Sequence, residues 1–98
     1  DGLAGNAQFW IAETYYAEKD FESAILSYET VIKDYPHSEK IPGALLKQAL
    51  AFMEIGDKKT AKVIFEKLIE KYPASKETET AKKKKAEIEK STKKTGKR

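Results

Sequence analysis

Residues 44–75 read ALLKQALAFMEIGDKKTAKVIFEKLIEKYPAS, and residues 7–38, which lie 37 positions earlier, read AQFWIAETYYAEKDFESAILSYETVIKDYPHS. When the two stretches are aligned, the run Tyr-Pro-x-Ser closes both of them. Aromatic residues also fall on aromatic residues, because Tyr15 aligns with Phe52 and Tyr28 aligns with Phe65. Self-similarity at a fixed period of this size is typical of a helical repeat array.

Each copy has the pattern of two amphipathic helices joined by a tight turn. In the second copy, apolar residues recur at steps of three and four on both sides of Gly56 and Asp57. Glycine supplies the positive φ of such a turn, and the aspartate carboxylate caps the next helix. Asp20 takes the same place in the first copy. Pro36 and Pro73 end the second helix of each copy, because the residue before a proline leaves the helical region.

The other helix boundaries follow from caps and composition. We expect residues 1–5 to be a flexible lead-in and the first helix to run from Asn6 to Glu18. Ser38 is the expected N-cap of the third helix, with Pro42 tolerated in its first turn.

A polar fifth helix is expected to close the array. Ser75 is its expected N-cap, and the helix should run over about residues 76–90, before a disordered basic tail at residues 91–98. The sequence therefore predicts an all-α fold, a right-handed superhelix of two helix-turn-helix repeats with a C-terminal capping helix. The repeats should span about residues 6–38 and 39–75.

The order small, aromatic, small, aromatic, proline is the tetratricopeptide pattern. In the first copy the residues that match it are Ala12, Tyr15, Ala24, Tyr28 and Pro36. In the second copy they are Leu45, Ala49, Phe52, Gly56, Ala61, Phe65 and Pro73. The period of 37 differs from the usual value of about 34, and the extra residues lie between the repeats.

Four stretches carry a closer resemblance: NAQFWIAETYYAEKDF (6–21), KDYPHS (33–38), ALLK (44–47) and EKYPAS (70–75). With them the chain resembles the C-terminal tetratricopeptide domain of the YbgF (CpoB) family, the cell division coordinators of the Tol-Pal system. The resemblance covers roughly residues 6–90. It implies a periplasmic adaptor of Gram-negative bacteria that binds TolA and coordinates outer-membrane constriction with peptidoglycan synthesis.

The oligomeric state expected from this resemblance depends on a segment that this sequence does not contain. In the YbgF family an N-terminal coiled coil drives trimerisation. A full-length protein would therefore be trimeric through that coiled coil. We expect the domain alone to be a monomer or to associate weakly.

Two alternative functions stay open. The Tyr-Pro-x-Ser linkers are shared with BamD-like lipoproteins, which implies a scaffold for outer-membrane protein assembly. Residues 76–98 carry a net charge of +6 against −3 for residues 1–75, and Lys82–Lys85 are consecutive lysines. Consecutive lysines point around the whole helix, and Arg would be expected for geometric phosphate recognition. We therefore expect a solvated capping helix whose basic tail gives at most weak, salt-sensitive binding to polyanions.

The repeat pattern predicts a partner-binding groove along the first helix of each repeat. Its expected lining is Asn6, Phe9, Glu13, Tyr16 and Ala17 from the first repeat, and Gly43, Leu46, Leu50, Met53 and Glu54 from the second. The apolar members suit the apolar face of a helical partner such as a TolA segment, or an extended peptide. The same apolar residues are equally suited to filling the core between stacked hairpins.

Two further expectations concern the same helix. A clamp for a C-terminal carboxylate needs Lys and Asn where this chain has Phe9 and Glu13, so an apolar or mixed helix is the better partner. Trp10 suits either a buried anchor or a partner contact, and of the two we expect it in the core or partly buried.

Motifs for catalysis or metal binding are absent from the sequence. The chain has no cysteine, and its one histidine, His37, lies in a turn without the partners that a metal site needs. It also has no nucleophile–base pair and no glycine-rich phosphate loop. We therefore expect a protein-binding module that is not an enzyme, with no cofactor, no metal, no specific nucleic acid and no membrane span.

Overall fold

The computed structural model describes residues 2–96, with side chains described for residues 3–91, and this part of the chain forms five α-helices. The helices are α1 (Gly2–Ala17), α2 (Phe21–Asp34), α3 (Ile41–Glu54), α4 (Lys58–Lys71) and α5 (Lys76–Gly96). Each helix packs against the next one along the chain, and α3 also contacts α5. The predicted all-α arrangement of two helical hairpins and a further helix is confirmed. None of the described helices combines the length and apolarity that a bilayer crossing requires.

The turn inside each hairpin is capped as the sequence predicts. The Asp20 carboxylate accepts a hydrogen bond from the Ser23 N–H at 3.2 Å. In the second hairpin the Asp57 carboxylate accepts one from the Thr60 N–H at 3.0 Å, and hydrogen bonding to Thr60 lowers the pKa of Asp57. Both caps satisfy N–H groups that the first turn of a helix leaves without partners.

The residue before each cap has a left-handed backbone. Gly56 has a φ of 90°, as predicted for the glycine of this turn, and Lys19 has a φ of 64° at the equivalent position of the first repeat. A side chain with a Cβ is strained in this region of φ, so the first turn stores strain that the second avoids.

Two predicted helix starts are wrong. Helix α1 begins at Gly2 rather than Asn6, because Gly5 is buried against the segment between the repeats. A Cβ at Gly5 would lie only 3.0 Å from the Ser38 Oγ, so glycine permits this close approach. Helix α3 begins at Ile41 and has no side-chain cap, because the Ser38 Oγ accepts from the Lys40 N–H, before the helix starts.

The C-terminal helix is longer than predicted. Helix α5 begins at Lys76, where the Ser75 Oγ accepts from the Glu77 N–H at 3.1 Å, but it continues to Gly96 instead of ending near Lys90. Lysine is a good helix former, and no proline or glycine interrupts this stretch before Gly96. Helix α5 therefore extends into the stretch from residue 91 that we expected to be a disordered tail. Asp1, Lys97 and Arg98 lie outside the described residues.

The core contains the small and aromatic residues that recur in both repeats. The fully buried members of this set are Ala12, Ala24 and Tyr28 in the first hairpin and Ala49, Ala61 and Phe65 in the second. Alanine lets two helices approach closely, and the large ring fills the space beside the contact.

A polar contact fixes the second repeat on the first. The buried Gln48 amide donates hydrogen bonds to the Ile25 carbonyl at 3.1 Å and to the Glu29 carboxylate at 3.0 Å. The equivalent residues one repeat later are Lys85 and Glu66, whose charged groups lie 3.8 Å apart. A glutamate on the second helix of each repeat therefore binds the helix that follows it.

Candidate partner-binding groove

The predicted groove residues lie along α1 and α3, and we call this surface the first-helix groove. Of the ten predicted residues, Ala17 is exposed and Gly43 lies against the Phe9 ring, and the groove as we define it consists of the other eight: Asn6, Phe9, Glu13, Tyr16, Leu46, Leu50, Met53 and Glu54. The structure places them in different environments: Phe9 is buried, Glu54 is exposed, and the other six are half-buried. A half-buried side chain can contribute both to the core and to a partner contact.

The α1 side of the groove is a polar network that joins both repeats. The Tyr28 hydroxyl donates to the Glu13 Oε1 at 2.5 Å, and the Lys47 Nζ lies 3.4 Å from the same oxygen. The Lys47 ammonium also lies 4.2 Å from the centre of the Tyr16 ring, within the range of a cation–π contact. Glu13 therefore contacts one residue from α2 and one from α3, which links the two groove helices through their side chains.

The two tyrosines of this network stay protonated over a wide pH range. Burial, together with the hydrogen bond to Glu13, raises the pKa of Tyr28 far above its ordinary value of 10.0. Burial also raises the pKa of Tyr16, with help from the nearby negative charges of Glu54 and Glu13. Near neutral pH both residues present neutral hydroxyl groups.

The α3 side of the groove is apolar. Leu46, Leu50 and Met53 pack against the core cluster and remain partly exposed. Their spacing of four and three residues places them on one face of the helix. They therefore form a continuous apolar strip beside the Glu13–Lys47 pair.

Phe9 belongs to the core rather than to the open groove. It is only 7% exposed, and its ring centre lies 5.9 Å from that of Tyr28. Its contribution to a partner contact is limited to one edge of the ring.

Trp10 is the clearest error of the sequence analysis. It was expected in the core or partly buried, but it is 56% exposed. Its ring meets the Phe9 ring edge-to-face at 5.4 Å, and the Lys40 ammonium lies 5.2 Å from its centre. The repeat offset gave a signal that was missed, because it aligns Trp10 with Lys47, a position that the second repeat fills with a charged residue.

A cavity of about 400 Å³ lies where α3 and α5 begin, at the Asn6 end of the groove. It is lined by Asn6, Phe9, Glu39, Lys40, Gly43, Lys76 and Glu77. Gly43 allows the Phe9 ring to pack closely, since a Cβ there would lie 3.4 Å from that ring. The charges around the cavity are mixed, so it extends the groove without favouring an anion or a cation.

The lysines of α5 are partly compensated by acidic neighbours. Lys84 lies 3.7 Å from Glu87, and Lys85 lies 3.0 Å from Glu89. The hydrogen bond between the last two raises the pKa of Lys85 and lowers that of Glu89. The run of lysines is therefore not a uniform positive surface.

The groove offers an apolar strip, hydroxyl groups and charged groups for contacts with a protein. Among the described residues, no group of three or more His, Cys, Asp or Glu side chains is placed to hold a metal ion. In the same part of the chain, each buried side-chain N or O atom has a hydrogen-bond partner.

Comparison with known proteins identifies the repeats. The chain matches the tetratricopeptide repeat family over residues 6–38 and 43–75, about two thirds of its length. No curated protein sequence gives a significant match.

Proposed function

Because the chain belongs to the tetratricopeptide repeat family, whose repeats mediate protein–protein interactions without catalysis, we propose that its first-helix groove binds a helical segment of a TolA-like protein. The resemblance of residues 6–90 to the YbgF (CpoB) family supports this choice of partner. On this proposal the protein acts in the periplasm. It coordinates outer-membrane constriction with peptidoglycan synthesis during cell division.

The observation that carries the proposal is the apolar strip of Leu46, Leu50 and Met53 beside the fixed Glu13–Lys47 pair. An amphipathic helix binds by placing its own apolar face in such a strip, with polar side chains at the edge. Methionine adapts to side chains of different shapes, which suits a surface that accepts a partner helix.

The ends of the groove indicate how a partner would be oriented. Glu54 is exposed at the end of α3, about 20 Å from the Lys40 end for a helix of 14 residues. We expect a cationic residue of the partner near Glu54. The opposite end offers the exposed Trp10 ring and the mixed-charge cavity, which suit an aromatic or uncharged polar residue.

The test is a titration of the domain with the periplasmic helical segment of TolA, followed by calorimetry and by Trp10 fluorescence. We expect saturable one-to-one binding that Leu50→Ala or Tyr16→Ala weakens by about tenfold, a typical effect of truncating an interface residue. Val63→Ala is the matched control, because Val63 is an exposed aliphatic residue on α4. Equal effects of Leu50→Ala and Val63→Ala would exclude the groove as the site.

Absence of both heat and a change in Trp10 fluorescence up to about 1 mM TolA segment would reject TolA as the partner. The shared Tyr-Pro-x-Ser linkers would then favour the BamD-like scaffold for outer-membrane protein assembly. Binding to a polyanion such as heparin that weakens steeply with salt would favour the alternative function, polyanion binding through the basic tail.

A further inference from the structure

The outward sides of α2 and α4 form a second surface, which we call the second-helix face. Leu26 on α2 is 70% exposed and Val63 on α4 is 59% exposed. The two residues are 37 positions apart, so each repeat places an aliphatic side chain at the same exposed position. Between the two helices lies a cavity of about 350 Å³, with Leu45 and Phe52 of α3 among its lining residues.

Charges on the second-helix face are inverted between the repeats. Three exposed residues of α2 have oppositely charged, exposed equivalents 37 positions later on α4. The pairs are Glu22 with Lys59, Lys33 with Glu70, and Asp34 with Lys71. Helix α2 carries a net charge of −2 and helix α4 carries +3.

This inversion matches one particular symmetry. Helices α2 and α4 run in the same direction, because the chain reverses once between α2 and α3 and once more between α3 and α4. A twofold axis parallel to these helices would place α2 of one copy on α4 of another, with equivalent positions opposite each other. All three inverted pairs would then face opposite charges. An axis across the helices would place α2 on α2 in reverse, with Glu22 near Asp34, which is repulsive.

We propose that the second-helix face binds a second copy of this chain in this parallel, twofold arrangement. Leu26 of each copy lies against Val63 of the other at the centre, and the inverted charges form two reciprocal sets of ion pairs around them. Glu29 and Glu66 would also face each other. Each of these carboxylates is already bound within its own chain, to Gln48 and to Lys85, which reduces their repulsion.

The size of the face sets the strength of the contact. Two helices of 14 residues, each about 21 Å long and about 10 Å wide, offer roughly 400 Å² in each copy. This is about half of what a standard stable interface buries. We therefore expect a weak, concentration-dependent dimer whose two first-helix grooves both remain open to partners.

The experiment uses two variants of the whole chain, one with charges reversed on α2 and the other with charges reversed on α4. The first variant is Glu22→Lys with Asp34→Lys, and the second is Lys59→Glu with Lys71→Glu. Each variant places one helix-terminal charge favourably and one unfavourably with respect to the helix dipole, so both should fold. Circular dichroism checks that they do.

Sedimentation equilibrium between about 10 μM and 1 mM measures association. We expect the wild type to dimerise, more weakly at high salt, and each variant alone to dimerise at least about tenfold more weakly. An equimolar mixture of the two variants should regain wild-type dimerisation, because both sets of pairs are then opposite in charge. A monomeric wild type, variants that dimerise normally, or a mixture that stays monomeric would each overturn the proposal.

Discussion

In the first repeat Tyr28 donates a hydrogen bond to Glu13, whereas in the second repeat Phe65 and Leu50 occupy the two equivalent positions. The change is coordinated, because a buried hydroxyl needs an acceptor and a buried phenyl ring does not. The same helical hairpin therefore holds a polar pair of side chains in the first repeat and an apolar pair in the second.

This difference reaches the surface and divides the first-helix groove. The first repeat contributes the charged and hydroxyl groups of Glu13 and Tyr16, and the second contributes the apolar strip of Leu46, Leu50 and Met53. The buried alanines and large rings determine how the hairpins close. The residues that differ between the repeats determine what the groove can recognise.

The largest expected effect on stability comes from truncating one of the large buried rings that both repeats contain. Phe65→Ala should lower the free energy of unfolding by about 3–5 kcal/mol, because a fully buried ring would leave a cavity. Urea denaturation measures it. The exposed Val63→Ala is the control and should change stability by less than about 0.5 kcal/mol. A loss below about 1 kcal/mol in Phe65→Ala would contradict the close packing described for the second hairpin.

Placing the tyrosine–glutamate pair of the first repeat at the equivalent positions of the second repeat, Phe65 and Leu50, tests whether the two positions depend on each other. Phe65→Tyr should cost about 1–3 kcal/mol of stability, because Leu50 cannot accept a hydrogen bond from the new hydroxyl. Adding Leu50→Glu should recover part of that loss, as Glu13 does for Tyr28. Thermal or urea denaturation of the single and double variants gives the coupling. Purely additive effects would show that the two positions do not act as a pair.

Alkaline pH should weaken the first repeat specifically. The raised pKa of Tyr28 means that the unfolded chain loses this proton above about pH 10 while the folded chain keeps it. The stabilisation is complete below that pH and is lost as the pH rises further. Denaturant unfolding from pH 9 to about pH 11 should show a shallower decline in Tyr28→Phe than in the wild type. Equal slopes would exclude Tyr28 as a source of the decline.

The smallest effect is expected at the turns. Lys19→Gly should stabilise the protein by about 0.5–1 kcal/mol, because it relieves the left-handed backbone of the first turn. Gly56→Ala, the matched change in the second repeat, should destabilise it by about 1 kcal/mol. No atom lies within 4 Å of a Cβ at Gly56, so backbone strain alone should account for that loss. Thermal denaturation measures both effects. Melting temperatures that change in the same direction in the two variants would contradict the expected difference between the turns.

Features that arise from local chemistry were predictable from the sequence. The hairpin turns at Asp20 and Gly56-Asp57, the helix ends before Pro36 and Pro73, and the buried residues shared by the repeats all follow from short patterns. The family match confirms the tetratricopeptide prediction.

Features that depend on contacts between elements were missed. The start of α1 depends on the contact between Gly5 and Ser38, and the exposure of Trp10 depends on how Phe9 and Lys40 pack beside it. The Tyr28–Glu13–Lys47 network joins three helices, and no short pattern in the sequence indicates it. The lining of the groove stays a prediction, because only a bound partner tests it.

The most direct test of the proposed function is a map of backbone amide chemical shifts during titration of the whole chain with the TolA helical segment. The first-helix groove predicts saturable shifts along α1 and α3, centred on Glu13, Tyr16, Leu50 and Met53. The amides on the outer sides of α2 and α4 should stay unchanged at constant protein concentration. Shifts confined to α2 and α4 or to α5, or no shifts at all, would contradict the assignment of the groove as the TolA-binding site.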